Sequence, residues 1–301
     1  MNENKKVYVA AVFYAIITGL SFLFGKMGLS SANPIDLLAY RFTSAFFAIL
    51  VSAPFMKTKP NYNINKILKI LPLALLYPLF FFSFQTFGLQ YATSSEAGIL
   101  LASSPIFTLI MAAYFLKEKT NLKQKLSVIL SVLGVIYITL SKSSDLDFNN
   151  MKGITLLLLS SLSISGYSVM ARKLTKDFSG AELSYVMIII SFLSFNILSI
   201  GGHLVNGTIG SFLSPLKDMG FIVAILYLGV LSSLGTSLLI NYMLSKIEAS
   251  KMSVFSNLGT VISIVAGMIF LKEEVYLYHI IGSICIVGGV IGTNFLGEKA
   301  Q

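Results

Sequence analysis

The chain has 301 residues, of which 55% are hydrophobic and only 12% charged, and its mean hydropathy is +0.81. A soluble domain carries about 25% charged residues, so most of this chain needs lipid as its solvent, and a water-soluble enzyme or binding module is excluded. The formal net charge of +9 does not point to nucleic acid, because the cations stand at the ends of apolar runs instead of forming one aromatic-interleaved patch.

Apolar runs long enough to cross a hydrocarbon layer of roughly 30 Å are predicted at 7–25, 36–56, 68–90, 95–116, 124–141, 153–171, 183–204, 219–242, 250–271 and 277–296. The first is expected to be a retained helix, since no small-residue cleavage site follows it. Connections are short, the longest running from Lys57 to Lys66 and from Lys142 to Lys152, so no soluble domain fits between spans. Cys285 stands alone within an apolar run and reads as a small core residue. With no tryptophan in the chain, tyrosines near span ends (Tyr8, Tyr62, Tyr91, Tyr185, Tyr242, Tyr276 and Tyr278) are expected to form the interfacial belt.

Ten spans place both termini on one side. Of the 22 Lys and Arg, only Lys26, Arg41, Lys142, Lys152, Lys217 and Lys272 fall on the opposite side. The cation-rich side is therefore the cytoplasm, with both termini on it. A multi-pass protein of a bacterial or archaeal cytoplasmic membrane is expected.

The two halves repeat. Phe115-Leu116-Lys117-Glu118 recurs 155 residues later as Phe270-Leu271-Lys272-Glu273, and at the same offset Ser95 matches Ser250, Leu122 matches Leu277, and Gly134-Val135 matches Gly289-Val290. At an offset of 147, Gly19, Ser21 and Lys26 match Gly166, Ser168 and Lys173. Five spans per half is an odd number, so equivalent helices cross in opposite directions. Such inverted repeats characterise secondary transporters, in which two similar packings exchange roles around a central site. The expected architecture is an all-α membrane protein of ten transmembrane helices in two inverted five-helix repeats, 1–145 and 150–299.

The chain resembles the drug/metabolite transporter superfamily, in particular its EamA-type exporters. The resemblance rests on Gly19-Leu20-Ser21-Phe22 with Lys26, Arg41, Ser104-Pro105 and Leu116-Lys117-Glu118. In the second half it rests on Leu271-Lys272-Glu273 with Gly282 and Gly288-Gly289. Thr18 and Thr260 depart from the pattern. The resemblance implies a central cavity formed by the first, third, fourth, sixth, eighth and ninth helices. Gln85, Asn241 and Asn257 are then candidate cavity contacts, with Tyr77, Phe84, Tyr167 and Tyr227 as possible lining aromatics; helix–helix bonding is the alternative for the amides and packing for the rings.

Arg41 reads as a guanidinium facing a cavity or partner, or as a snorkelling rim residue held near Asp36. Glu96 is either an N-terminal acid with Ser94 or Ser95 as helix cap, or a coupling site. Pro72, Pro78 and Pro105 are candidate hinges or static bends. Gly288 and Gly292 stand in G-x-x-x-G spacing with Gly289 between them, a close-packing face and a possible homodimer contact. His203 and His279 have no carboxylate at ligand spacing, so neither a metal nor a cofactor is expected. Gly19 to Lys26 fails the phosphate-loop pattern in its spacing and in the residue after the lysine, and neither G-x-S-x-G nor H-E-x-x-H occurs.

The expectation is a non-enzymatic exporter of small organic metabolites, namely amino acids, related metabolites or amphipathic toxic compounds. Alternating access driven by proton exchange is the coupling considered. The alternatives are an intramembrane enzyme acting on lipid or isoprenoid intermediates and a non-transporting scaffold. The expected partners are a small-molecule substrate and the lipid bilayer.

Overall fold

The computed structural model describes residues 3–52, 64–117, 121–142 and 148–296. Among these residues the chain is all-helical, with thirteen α-helices: α1 Glu3–Leu29, α2 Pro34–Ser52, α3 Ile64–Ala74, α4 Phe81–Gly88, α5 Ser94–Leu101, α6 Ser104–Phe115, α7 Leu122–Lys142, α8 Phe148–Leu174, α9 Gly180–Val205, α10 Met219–Leu226, α11 Thr236–Lys246, α12 Ala249–Phe270 and α13 Leu277–Phe295. Each of the ten predicted runs coincides with one helix or with a broken pair. Seven spans among the described residues are long and apolar enough to cross a membrane by length and composition. The protein is a multi-pass membrane protein, and large apolar side chains such as Phe13, Phe47, Val51, Ile197 and Val205 stand exposed around it, as lipid-facing positions do.

The broken pairs have local causes. Wide π-turns join α3 to α4 over Leu75–Phe80 and α10 to α11 over Tyr227–Gly235. In the first, Tyr77 leaves helical geometry at φ −144°, ψ 123°, the extended region into which a following proline forces its neighbour. Pro78 thus sits at a kink. Pro105 lies in the first turn of α6, directly after the break at Ala102-Ser103, where its missing N–H costs no hydrogen bond. Pro72 lies inside α3, which continues past it.

The starts of α5 and α9 are satisfied by their own side chains. Thr93 Oγ1 accepts from Glu96 N–H at 3.1 Å, and the Glu96 carboxylate accepts from Thr93 N–H at 2.9 Å. The cap of α5 is therefore Thr93, not Ser94 or Ser95. Ser179 and Glu182 form the same reciprocal pair at α9, closing donors that a helix N-terminus leaves open.

Equivalent elements of the two halves meet each other: α7 packs against α13, α2 against α9, and α5–α6 against α12. At the α7–α13 crossing a Cβ on Gly134 would lie 2.8 Å from Gly282 O, and one on Gly289 would collide with Ser127 O. These are one contact used twice, because Gly134 and Ser127 precede Gly289 and Gly282 by the same 155 residues. Gly292 also closes on Ser127, while Gly288 has nothing within 4 Å. The small-residue face of α13 is therefore largely consumed inside the chain. Helices α6 and α12 also end alike: Lys117 and Lys272, at φ 57° and 53°, are the two non-glycine residues with positive φ among the described residues.

The core lies where α2, α8, α9 and α11 converge on Phe42, Tyr167, Leu183, Met187 and Phe195. Tyr185, expected in the interfacial belt, is buried there with 4% exposure, its hydroxyl 3.3 Å from Ser52 Oγ. Tyr8 and Tyr276 are exposed.

Candidate functional site

A cavity lies at the centre of the bundle. Its wall takes Tyr14, Thr18 and Phe22 from α1, Phe81 and Gln85 from α4, Gly98 and Leu101 from α5, and Ser104 and Thr108 from α6. Ile164 and Ser168 come from α8, Ile240 from α11, and Met252, Ser253 and Ser256 from α12. The spacing follows helical geometry: Tyr14, Thr18 and Phe22 recur every four residues, as do Ser104 and Thr108, and Ile164 and Ser168, so each set shares a face. The contributing spans are the first, third, fourth, sixth, eighth and ninth, the set that the resemblance implies.

Among the described residues the wall is uncharged and rich in hydroxyls, and its chemistry is directional. Thr18 donates to Tyr14 O at 2.6 Å, Thr108 to Ser104 O at 2.9 Å, Ser168 to Ile164 O at 2.8 Å, and Ser253 to Ser250 O at 2.8 Å. Each hydroxyl has one proton, and here the helix's own carbonyl takes it. What remains on these four oxygens is lone pairs, while the Tyr14 hydroxyl and the Gln85 amide keep donors, so the wall offers both. Phe22, Phe81 and Tyr14 add apolar and π surface.

Gln85 is different. It is 4% exposed, lines the cavity, and its amide makes no side-chain hydrogen bond to a described residue. Its amide opens onto the cavity, so an occupant is the partner it can take. The free volume of about 40 Å³ holds about three water molecules, far below the roughly 300–1,000 Å³ of a metabolite pocket. The cavity as it stands is therefore small.

The other predicted residues surround this cavity without appearing among its lining residues. Tyr167 donates to Asn241 Oδ1 at 2.8 Å, and Asn241 donates to Ser184 Oγ at 3.0 Å, forming a fully buried chain across α8, α11 and α9. Tyr77 packs on Tyr167 with ring centroids 4.7 Å apart. Its hydroxyl lies 3.3 Å from Thr236 Oγ1, whose proton goes to Ser232 O, so Tyr77 is the donor. Tyr227 donates to Ile17 O at 3.0 Å and stacks on Phe24. Phe84 is half-buried and stacks on Phe80. The side chain of Asn257 lies outside the described residues. Tyr14, Thr108, Ser253 and Ser256 were not singled out from sequence, and Thr18, Phe22, Ser104 and Ser168 entered only as motif or repeat positions; the four-residue spacing on α1, α6 and α8 was the signal available.

Arg41 is buried, with 3% exposure. Its Nε donates to Ser233 Oγ at 2.7 Å, its Nη2 donates to Ser232 Oγ at 3.0 Å and to Ser232 O at 3.3 Å, and its guanidinium carbon lies 3.7 Å from the centre of the Phe82 ring. The arginine of α2 is thus plugged into the π-turn between α10 and α11. Gly229, one turn earlier, lets the backbones meet, since a Cβ there would collide with Ser44 Oγ and Arg41 O. Asp36 does not hold Arg41. It accepts from Asn33 Nδ2 at 2.7 Å and Ser199 Oγ at 2.5 Å, and lies 3.0 Å from His203 Nε2.

The EamA-like transporter family model matches residues 5–140 and again 151–295. The uncharacterized transporter YcxC of Bacillus subtilis (strain 168) is 47% identical over 298 residues, covering 99% of this chain and 96% of that protein. An uncharacterized transporter of Archaeoglobus fulgidus is 27% identical over 294 residues, 95% of this chain and 97% of its own. A crystal structure with 15% identity covers 97% of both chains at a TM-score of 0.66, a likeness of fold alone. The double match over almost the whole length leaves one assignment: the chain belongs to the EamA-like transporter family.

Proposed function

We propose that this chain is a secondary transporter that moves a small organic metabolite outward across the cytoplasmic membrane by alternating access. In this reading it has ten spans in two inverted five-helix halves, 1–145 and 150–299, with both termini in the cytoplasm. It acts as a carrier and not as an enzyme. The observation that carries the reading is the central cavity with Gln85 facing it, set between halves that meet through equivalent contacts. Two similar packings about one site are what an exchange of outward and inward openings requires. The polar, uncharged wall with its aromatic rings favours a cargo that presents hydrogen-bonding groups beside an apolar group, as an amino acid does. Proton exchange is the proposed driving force, and Glu96 serves α5 as its capping acid.

Untargeted mass spectrometry of medium and cytosol, with and without the protein, tests this. One metabolite class should accumulate in the medium, and Gln85→Ala should weaken its apparent affinity by about ten-fold, the worth of one lost hydrogen bond, at unchanged membrane abundance. A medium that never changes, together with an altered lipid or isoprenoid pool, would replace the carrier by an intramembrane enzyme.

A further inference from the structure

Helices α6 and α7 follow one another in the chain, yet they touch at few residues. The cause is on the far side of α7: Gly134, Ser127 and their counterparts draw it against α13, and it leans away from α6. A cleft of about 580 Å³ opens between the two, lined by Leu109, Ile110, Ala113, Tyr114, Val128 and Ile129, with Lys125 as its cation. Leu109 forms a buried floor, and Tyr114 stands 79% exposed. From Leu109 to Tyr114 the wall runs about 8 Å along the helix axis, which suits the upper part of an acyl chain.

The charge near the mouth is mostly positive. Lys125 lines the cleft, Lys117 and Lys123 are exposed nearby in the chain, and the sequence 117–125 holds four lysines against one acid, Glu118. Lys125 makes no ion pair with a described residue. Its long stem can follow the apolar wall while its ammonium reaches the headgroup level. Basic pockets between membrane helices on the cytoplasmic side suit anionic lipid headgroups.

We propose that the α6–α7 cleft is a binding site for an anionic phospholipid of the inner leaflet, its acyl chain against Leu109, Ala113 and Val128 and its phosphate on the Lys125 ammonium. The bound lipid sits behind the cavity, since the other face of α6 carries Ser104 and Thr108. The cleft belongs to the first half, because the equivalent helices α12 and α13 pack more closely.

Native mass spectrometry of the detergent-purified full chain tests this with phosphatidylglycerol and phosphatidylcholine of identical acyl chains. Wild type should retain phosphatidylglycerol preferentially. Lys125→Gln should reduce that preference roughly five-fold, the worth of one cation near a lipid surface, whereas Lys125→Arg keeps it and Lys217→Gln, in the α9–α10 connection, leaves it intact. Ala113→Phe, which fills the cleft without touching charge, should lower retention of both lipids, and size-exclusion profiles identify any variant that fails to fold. Equal retention of both lipids by wild type, or an unchanged preference in Lys125→Gln, overturns the site. A wild-type dimer that Ala113→Phe dissociates would assign the cleft to a second copy and overturn it too. None of these readouts uses transport, so failure here leaves the carrier reading untouched.

Discussion

At the scale of single residues, the most informative side chains are those whose polar groups are committed inside an apolar body. Arg41 ties α2 to the π-turn through planar, multiply bonded geometry and a stacked Phe82 ring. A lysine keeps the charge but can reproduce neither the fork nor the stack. Arg41→Lys should therefore cost about 1–3 kcal/mol, read as a lower temperature at which monodisperse protein is lost in detergent; an unchanged midpoint would show that the anchor contributes nothing. Outside the spans, Asp218 accepts from Ser31 Oγ at 2.5 Å and from Gly220 N–H at 2.8 Å, and these bonds, Ser31 foremost, hold its carboxyl below the usual range. A carboxyl lowered by folding stabilises the fold above its unfolded pKa, and the contribution disappears as pH falls through the lowered folded value. Proteolysis of the α9–α10 connection should accordingly be flat around neutrality and rise only in acid, and Ser31→Ala should move that rise to higher pH. A rise at neutral pH in wild type would contradict this.

At the scale of elements, close approach is decided by which glycine faces a backbone. Gly289 and Gly288 are neighbours on α13, yet one meets Ser127 and the other meets nothing. Gly289→Ala should lower thermal stability by about 1–3 kcal/mol through overpacking, while Gly288→Ala should stay within about 0.5 kcal/mol. Equal effects of the two changes would refute the assigned helix face. Gly229→Ala belongs with the first, since the obstruction includes the Arg41 carbonyl, which cannot rotate away. The sequence pattern G-x-x-x-G marked the helix but not the face, because spacing alone does not say which neighbour is present. The same limit explains the α5 cap: Thr93, Ser94 and Ser95 are equally capable acceptors, and only the turn at 93 orients one of them toward Glu96 N–H.

At the scale of the whole molecule, the proposed topology sets the two ends of the bundle on opposite sides of the membrane. In a Cys285→Ser background, Lys217→Cys should react with an impermeant maleimide on intact cells, and Lys123→Cys only after permeabilisation. Labelling of both from the same side would remove the ten-span reading and with it the inverted repeat. The pairing of Gly134–Gly282 with Gly289–Ser127, and of Lys117 with Lys272, extends the sequence repeat into three dimensions. Within the matching motif, Lys117 and Lys272 follow their helices with the same positive-φ backbone conformation.

The apolar runs, their lengths and the 155-residue echo follow from the sequence by itself. Hydrocarbon thickness sets the length of a spanning helix, and hydropathy needs no knowledge of neighbours. The family was legible in its motifs, and Gln85 as a candidate because an amide in an apolar run must find a partner. The partners were not. Arg41 meets serines 191 and 192 residues away, and Asn241 lies behind the cavity wall while Tyr14 and Thr18 line it. Hydroxyls that read as neutral helix residues become acceptors because their own carbonyls take their protons. Those assignments depend on how helices rotate and lean against each other, a property that pairwise packing fixes and no single segment contains.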